Sequence, residues 1–305
     1  MKNVALALAS GGPRGFAYIG AIEELQARGY KITSMAGASA GSLVGGIYAA
    51  GGLQAFKKWL LNLDPVKIMA LMDVSMSKSH LVKGSRIIKE LKAAVPEVMI
   101  EDLPFHFAAV ATDLFTGEEV VFREGPLFDA IRASISIPSM FKPFVWKGRT
   151  LVDGGMVNTL PLNRVQRTPG DILIGFNVNE IDAAEIQGFL DSRAEFVKEK
   201  RDSANSLLSR IQAGLNQRHL EASAKDNEIP VGAGDNMASI LQRSFGIMNC
   251  VIARQCIEQT PPDILVSLPY DSYHGVHGYT HAKEISERGR QLMAEALDKY
   301  EKKNG

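Results

Sequence analysis

The stretch ITSMAGASAGSLVGGIYAA, residues 32–50, does most to decide the fold. Its first five residues are typical of a short buried strand, and the small-residue run from Ser42 onward is typical of a closely packed helix. Ser39 lies at the turn between them, in Gly37-Ala38-Ser39-Ala40-Gly41. A sharp strand-to-helix turn exposes a serine hydroxyl, and flanking glycines let neighbouring backbone approach. The pattern therefore predicts a serine nucleophile.

The residues on either side extend this into an α/β pattern. An apolar strand is predicted at 4–9, a helix at 16–28 and a second strand at 32–36, with Gly29 at the helix C-cap. Strand, helix, strand, helix in this order predicts a mostly parallel sheet with helices on its faces. Further predicted strands are 107–112, 118–122, 145–146, 150–152, 172–178 and 264–268. Further predicted helices are 53–62, 85–94, 127–134, 237–252 and 283–302.

Composition excludes several classes of function. Lys plus Arg and Asp plus Glu number 34 each, so no net charge draws the chain to nucleic acid or to an anionic membrane. Cys250 and Cys256 are expected to be reduced, as in a cytoplasmic protein. The apolar run at 4–9 is shorter than the core of a secretion signal, and no segment reaches the length of a membrane span. We therefore expect a cytoplasmic protein.

The loop Ser10-Gly11-Gly12-Pro13-Arg14-Gly15 is a candidate oxyanion site. A serine nucleophile generates an oxyanion that needs hydrogen-bond donors. Backbone amides at a helix start are unpaired and suit an anion, and Pro13 has no amide hydrogen. The candidate donors are therefore Gly11, Gly12 and Arg14, with the Arg14 side chain either adding charge or bracing the loop.

A nucleotide site fits this loop poorly. A G-x-G-x-x-G fingerprint over residues 10–15 would have serine at its first position, and no acidic residue follows near residues 32–34. A P-loop also fails, because no G-K-[ST] follows. The sequence therefore favours a catalytic loop over a phosphate-binding one.

Two kinds of base are available to activate Ser39. Asp153 lies in LVDGGM, residues 151–156, although Asp-Gly-Gly alone is more often a turn. The alternative is a histidine from the late cluster His274, His277 and His281, in the chain order of an α/β-hydrolase. Such hydrolases place several strands before the nucleophile, whereas this chain places only two there.

Taken together, these blocks resemble the patatin-like phospholipases. The loop with Arg14, the Ser39 turn and Asp153-Gly154-Gly155 occur in that family's order, and residues 111–117 and 132–138 are similar to it as well. The resemblance is strongest to the small bacterial branch related to the catalytic domain of neuropathy target esterase, and it covers residues 4–180 well. The glycines that support its motifs are Gly15, Gly37, Gly41, Gly154 and Gly155.

The resemblance implies a three-layer α/β fold and a Ser–Asp dyad without a catalytic histidine. Ser39 would be the nucleophile and Asp153 the base, with Gly11, Gly12 and Arg14 forming the oxyanion hole. No metal or cofactor is implied. Ser10 stands where the family usually has a third glycine, which leaves the position of the first oxyanion amide open.

We accordingly expect one hydrolase domain, 1–305, with a helical insertion or cover at 181–258. The implied substrates are lipid or other acyl esters, such as phospholipids and lysophospholipids. A transient contact with a membrane surface, peripheral to the cytoplasm, is compatible with such substrates, and no nucleic-acid partner is expected. The oligomeric state stays open. Two alternatives remain: a non-catalytic regulator with the same fold, and a Ser-His-Asp carboxylesterase.

Overall fold

The computed structural model describes residues 2–64, 67–68, 85–138, 140–181, 187, 198, 237–273 and 276–304. The chain divides into two compact units. The larger contains Met1–Glu180 and Ser244–Gly305, and the smaller contains Ile181–Arg243. The predicted insertion at 181–258 lies largely outside the described residues, so it stays a prediction.

An eight-stranded sheet forms the centre of the larger unit, in the order β5-β6-β3-β2-β1-β7-β8 with β4 also paired to β3. The five strands from β3 to β8 in that order run parallel, and β4, β5 and β6 add antiparallel pairings. The strands are β1 (Asn3–Leu8), β2 (Lys31–Ala38), β3 (His106–Asp113), β4 (Glu119–Phe122), β5 (Phe144–Trp146), β6 (Arg149–Asp153), β7 (Ile172–Glu180) and β8 (Ile264–Pro269).

Helices surround this sheet, which confirms the predicted α/β fold class. In the described residues they are α1 (Ala17–Ala27), α2 (Ala40–Ala49), α3 (Leu53–Leu61), α4 (Ser85–Ala94), α5 (Leu127–Ser134), α6 (Met237–Gln259) and α7 (Ala282–Asn304). α1 packs along α7, and α2 packs on β2 and β3. α6 connects the parallel strands β7 and β8, as a crossover helix does.

The apolar pattern of the sequence corresponds to the observed core. In β1 every residue from Val4 to Leu8 is fully buried, as the prediction of a strand covered on both faces requires. The predicted helices at 85–94 and 127–134 are confirmed with the same bounds. One difference concerns residues 12–16, which form a separate 3₁₀ turn before α1. Both cysteines are free thiols.

None of the helices in the described part of the chain is both long and apolar enough to cross a bilayer.

Candidate active site

The sheet register brings Ser39 and Asp153 to the same end of the sheet. Ala38, the last residue of β2, lies opposite Val110 of β3, and Asp153, the last residue of β6, lies opposite Ala111 of β3. β2 and β6 therefore flank β3 at adjacent positions. Strands are spaced by about 4.8 Å, so two side chains can bridge the gap across β3.

Ser39 occupies a strained backbone conformation between β2 and α2. Its φ is 50° and its ψ is −118°, in the positive-φ region that residues with a side chain rarely adopt. The turn is also sterically tight. A Cβ atom on Gly37 would lie 2.3 Å from the Gly41 carbonyl carbon, and one on Gly41 would lie 2.2 Å from the Leu8 oxygen. Strain of this kind persists only where surrounding contacts maintain it.

Ser134, in the last turn of α5, provides such a contact. Its Oγ accepts a hydrogen bond from the Ser39 amide at 2.8 Å and donates one to the Val110 carbonyl at 2.5 Å. All the atoms involved are buried. Ser134 therefore connects the nucleophile turn to the central strand β3.

Replacing Ser134 with alanine is expected to lower the free energy of unfolding by about 1–3 kcal/mol, because it leaves a buried N–H and a buried carbonyl without their partner. Urea denaturation measures this loss, with Ser267→Ala on β8 as a matched control. Ester hydrolysis is expected to fall as well, because the Ser39 turn loses a restraint. A Ser134→Ala protein as stable as the control would contradict the assigned role.

Asp153 is fully buried, and its backbone is held on both sides. The Thr112 hydroxyl donates to the Asp153 carbonyl at 2.9 Å, and the Asp153 amide donates to the Ser136 carbonyl at 3.0 Å. Oδ1 accepts a hydrogen bond from the Gly155 amide at 2.8 Å. Oδ2 has no hydrogen-bond partner among the described residues. One carboxylate oxygen is thus anchored, and the other is left to act on a neighbouring group.

The Asp153 carboxyl has a pKa shifted toward neutral pH. Burial raises the pKa of its carboxyl from 3.8 to about 6. The Ser39 hydroxyl, the Gly155 amide and the Ser10 hydroxyl oppose this shift by favouring the charged form. The Ser39 hydroxyl is thus near enough to influence the carboxyl, although Oδ2 lacks a bond within ordinary hydrogen-bonding distance.

The glycine-rich loop follows β1 and lies beside the same site. A Cβ atom on Gly11 would lie 2.1 Å from Val178 Cγ2, and one on Gly15 would lie 2.4 Å from Ala40 Cβ. Gly12 has φ +56°. Among the described residues, the Gly11 and Gly12 amides take no part in the backbone hydrogen bonds of loops and turns. These two amides can therefore receive an anion.

The Arg14 side chain braces the loop, which is one of the two roles expected for it; its part in the oxyanion hole stays a prediction. Its guanidinium donates to the Tyr270 carbonyl at 2.5 Å and lies 4.6 Å from the centroid of the Tyr270 ring. The side chain is buried, and burial lowers its pKa. The Arg14 charge thus holds the loop against the segment after β8.

An apolar cavity of about 120 Å³ opens onto the Ser39 turn. Gly12, Ser39 and Tyr279 are among its lining residues. The rest of its wall is almost entirely apolar and includes Leu43, Phe56, Trp59, Leu60, Leu63, Ile135 and Phe141. The cavity therefore suits a hydrocarbon chain attached to a reacting carbonyl group.

Histidines in the described residues lie elsewhere or have other partners. His106 begins β3, opposite Ser34, at the far end of the strands from Ser39. His281 Nδ1 lies 3.0 Å from Glu284 Oε2, in an exposed pair. His80, His219 and His274 lie outside the described residues, as does the side chain of His277. The described residues therefore offer no histidine for a Ser-His-Asp triad.

Several residues around the site had no role assigned from the sequence. The Ser10 hydroxyl acts on Asp153 by favouring its charged form, which lowers the pKa of the carboxyl. Thr159 Oγ1 lies 2.8 Å from the Gly155 carbonyl and 3.0 Å from Asn249 Oδ1 on α6, which supports the turn after Asp153. Tyr279 lines the cavity. Ser10 and Tyr279 reach the site from distant parts of the chain, and the contact of Thr159 with Asn249 joins residues 90 apart, so no local pattern could identify them.

Comparison with known proteins finds a matching family model and similar sequences. A family model described as patatin-like phospholipase matches residues 6–165. An uncharacterized NTE family protein of Mycobacterium tuberculosis is 33% identical over 98% of this chain and 92% of its own length. The patatin-like phospholipase domain-containing protein 6 of Mus musculus is 26% identical over 63% of this chain and 14% of its own length.

Among solved structures, the crystal structure of VipD from Legionella pneumophila covers 97% of this chain and 67% of that chain. Its TM-score is 0.40 at 15% sequence identity, a likeness too low to carry an argument.

Proposed function

The chain belongs to the patatin-like phospholipase family, and from that premise we propose that it hydrolyses acyl esters of lipids through a dyad of Ser39 and Asp153. Membership of this family supports lipid acyl hydrolase activity in general. The dyad, the phospholipid or lysophospholipid substrate and the cytoplasmic location belong to the proposal. No metal or cofactor takes part in the proposed reaction.

One observation carries the proposal: Asp153 is a buried carboxylate with one oxygen unpartnered among the described residues, next to the hydroxyl of a strained serine. An ordinary aspartate is a weak base at neutral pH. A pKa of about 6 brings it close to the operating range of a general base. The uncompensated oxygen is costly to bury, and a catalytic role accounts for it.

In the proposed mechanism, Asp153 takes the Ser39 proton as Oγ attacks the ester carbonyl carbon. The carbonyl oxygen becomes an oxyanion and accepts hydrogen bonds from the loop amides of Gly11 and Gly12. As the tetrahedral intermediate collapses, the C–O bond to the alcohol breaks and protonated Asp153 returns its proton to that oxygen. Water then attacks the acyl-serine with Asp153 again as base, which releases the fatty acid and restores Ser39.

The substrate class follows from the cavity. Its wall is nearly all apolar, and burying a methylene group there is worth about 0.8 kcal/mol. A phosphate or other charged head group would therefore stay outside, and the acyl chain would enter. This arrangement favours long-chain lipid esters over small polar esters.

The experiment compares hydrolysis of a panel of phospholipids, lysophospholipids and p-nitrophenyl esters of increasing chain length by wild type, Asp153→Ala and His277→Ala. We expect kcat/KM to rise with chain length, Asp153→Ala to lose activity, and His277→Ala to retain most of it. Loss in His277→Ala with retention in Asp153→Ala would identify a Ser-His-Asp carboxylesterase instead. A wild type without activity on any ester would favour the non-catalytic regulator.

A further inference from the structure

Tyr279 brings a phenol from the distant C-terminal part of the chain to the proposed active site. It lies in the 3₁₀ segment Val276–His281, just before α7, and it lines the same cavity as Gly12 and Ser39. A Cβ atom on Gly12 would be 3.8 Å from the Tyr279 hydroxyl oxygen. The hydroxyl therefore lies beside the glycine-rich loop.

Packing, and not the hydroxyl, determines where the Tyr279 ring lies. A Cβ atom on the preceding Gly278 would be 2.4 Å from the Tyr273 carbonyl oxygen and 2.8 Å from Pro13 Cγ, so the segment rests directly on the glycine-rich loop. The ring itself makes an edge-to-face contact with Phe16, with centroids 5.8 Å apart. A phenylalanine at position 279 would keep both contacts.

The Tyr279 hydroxyl is an unused donor. It has no hydrogen-bond partner in the part of the chain that the structure describes, although it sits among polar catalytic groups. Burial raises the pKa of Tyr279 to about 12, the charge of Asp153 acts in the same direction, and Arg14 opposes them. The phenol is therefore protonated at neutral pH and can donate a hydrogen bond.

We propose that the Tyr279 hydroxyl is a third donor of the oxyanion hole and hydrogen-bonds the developing oxyanion beside the Gly11 and Gly12 amides. Pro13 has no amide hydrogen and one guanidinium nitrogen of Arg14 donates to the Tyr270 carbonyl, so the Tyr279 hydroxyl adds to the donors that the loop itself supplies. The phenol is fixed before substrate arrives, as electrostatic stabilisation of a transition state requires. This inference rests on the proposed function and adds a residue from outside the matched segment 6–165.

A different role for the same hydroxyl would be to give a proton to the leaving alcohol. The two roles differ in their dependence on the leaving group. An oxyanion donor acts on the carbonyl oxygen, so its loss slows the hydrolysis of esters with good and with poor leaving groups by the same factor. A proton donor to the leaving group has little effect when p-nitrophenolate departs, because this anion is stable without a proton. It has a large effect when the leaving group would otherwise be an alkoxide.

The test is Tyr279→Phe, with Tyr273→Phe as the matched control, because the Tyr273 hydroxyl bonds Glu284 on the exposed surface. We expect Tyr279→Phe to lower kcat by about 10- to 100-fold, the value of one hydrogen bond to a charged group, with KM changed less than about twofold. The factor should be the same for p-nitrophenyl and alkyl esters of one acyl chain. Fluorophosphonate labelling of Ser39 should slow by a similar factor, because its phosphoryl oxygen occupies the same hole.

Three results would overturn the proposal. They are unchanged kcat in Tyr279→Phe, a loss confined to the alkyl ester, and a loss accompanied by a lower melting temperature, which would indicate a packing role. Ser39→Ala is measured in parallel. If it retains full activity, the proposed function fails; if it is inactive while Tyr279→Phe is unchanged, only the role of Tyr279 fails.

Discussion

Ser39→Ala is expected to lower kcat/KM for ester hydrolysis by about 10⁴-fold or more, because the reaction loses the atom that attacks the carbonyl carbon. The fold should persist. Alanine at position 39 keeps the backbone amide that donates a hydrogen bond to Ser134 Oγ. It removes only a hydroxyl group from a turn whose geometry is set by the backbone. The melting temperature should therefore stay close to that of the wild type.

The assay for this prediction is hydrolysis of a long-chain p-nitrophenyl ester together with a lysophospholipid. Ser267→Ala, a serine substitution on β8 at the sheet edge, is the matched control and should keep its activity. Retention of more than about a tenth of wild-type activity by folded Ser39→Ala would show that another residue is the nucleophile.

Asp153→Asn is expected to lower kcat by about 10²- to 10⁴-fold, the usual contribution of a general base, while making the protein more stable at neutral pH. The carboxyl pKa is higher in the folded protein, at about 6, than the ordinary value of 3.8. The folded state therefore binds the proton on Asp153 more tightly than the unfolded state does. The stabilisation of the folded state by this proton is complete below pH 3.8 and disappears as the pH rises through about 6. Above that pH the buried carboxylate opposes folding by at most about 3 kcal/mol.

An asparagine at 153 carries no charge, so the gain in stability should grow with pH. We expect the free energy of unfolding of Asp153→Asn, relative to that of the wild type, to increase by about 1–2 kcal/mol from pH 5 to pH 8. Urea denaturation at both pH values measures it. A difference that stays constant with pH would mean that Asp153 has an ordinary pKa and is not tuned as a base.

Most of the fold could be predicted because its signals are local. The strand predicted at residues 4–9, the helix at 127–134 and the strand-to-helix turn at Ser39 each depend on neighbouring residues. The structure reproduces the helix and the turn, and its strand is Asn3–Leu8. Parallel pairing followed from the alternation of strands and helices. The order of strands did not follow, because β1 pairs with β7 through residues 168 apart along the chain, such as Val4 and Ile172 (172 − 4).

The site was predictable only where a motif marks it. Gly11 and Ser39 lie in short motifs that predict an oxyanion loop and a strand-to-helix turn. Asp153-Gly154-Gly155, taken alone, predicts only a turn. What distinguishes Asp153 is its complete burial and its position across β3 from Ser39, and both arise from the sheet register. Ser134 and Tyr279 reach the site from separate elements, so their contributions appear only in three dimensions.

The most direct test of the dyad is the rate at which a fluorophosphonate modifies wild type and Asp153→Asn between pH 4 and pH 9, with the labelled peptide identified by mass spectrometry. We expect the label on Ser39, a wild-type rate that rises through about pH 6, and an Asp153→Asn protein that reacts about 10²-fold more slowly without that rise. A label on any other residue, or an Asp153→Asn protein that reacts as fast as wild type, would contradict the dyad.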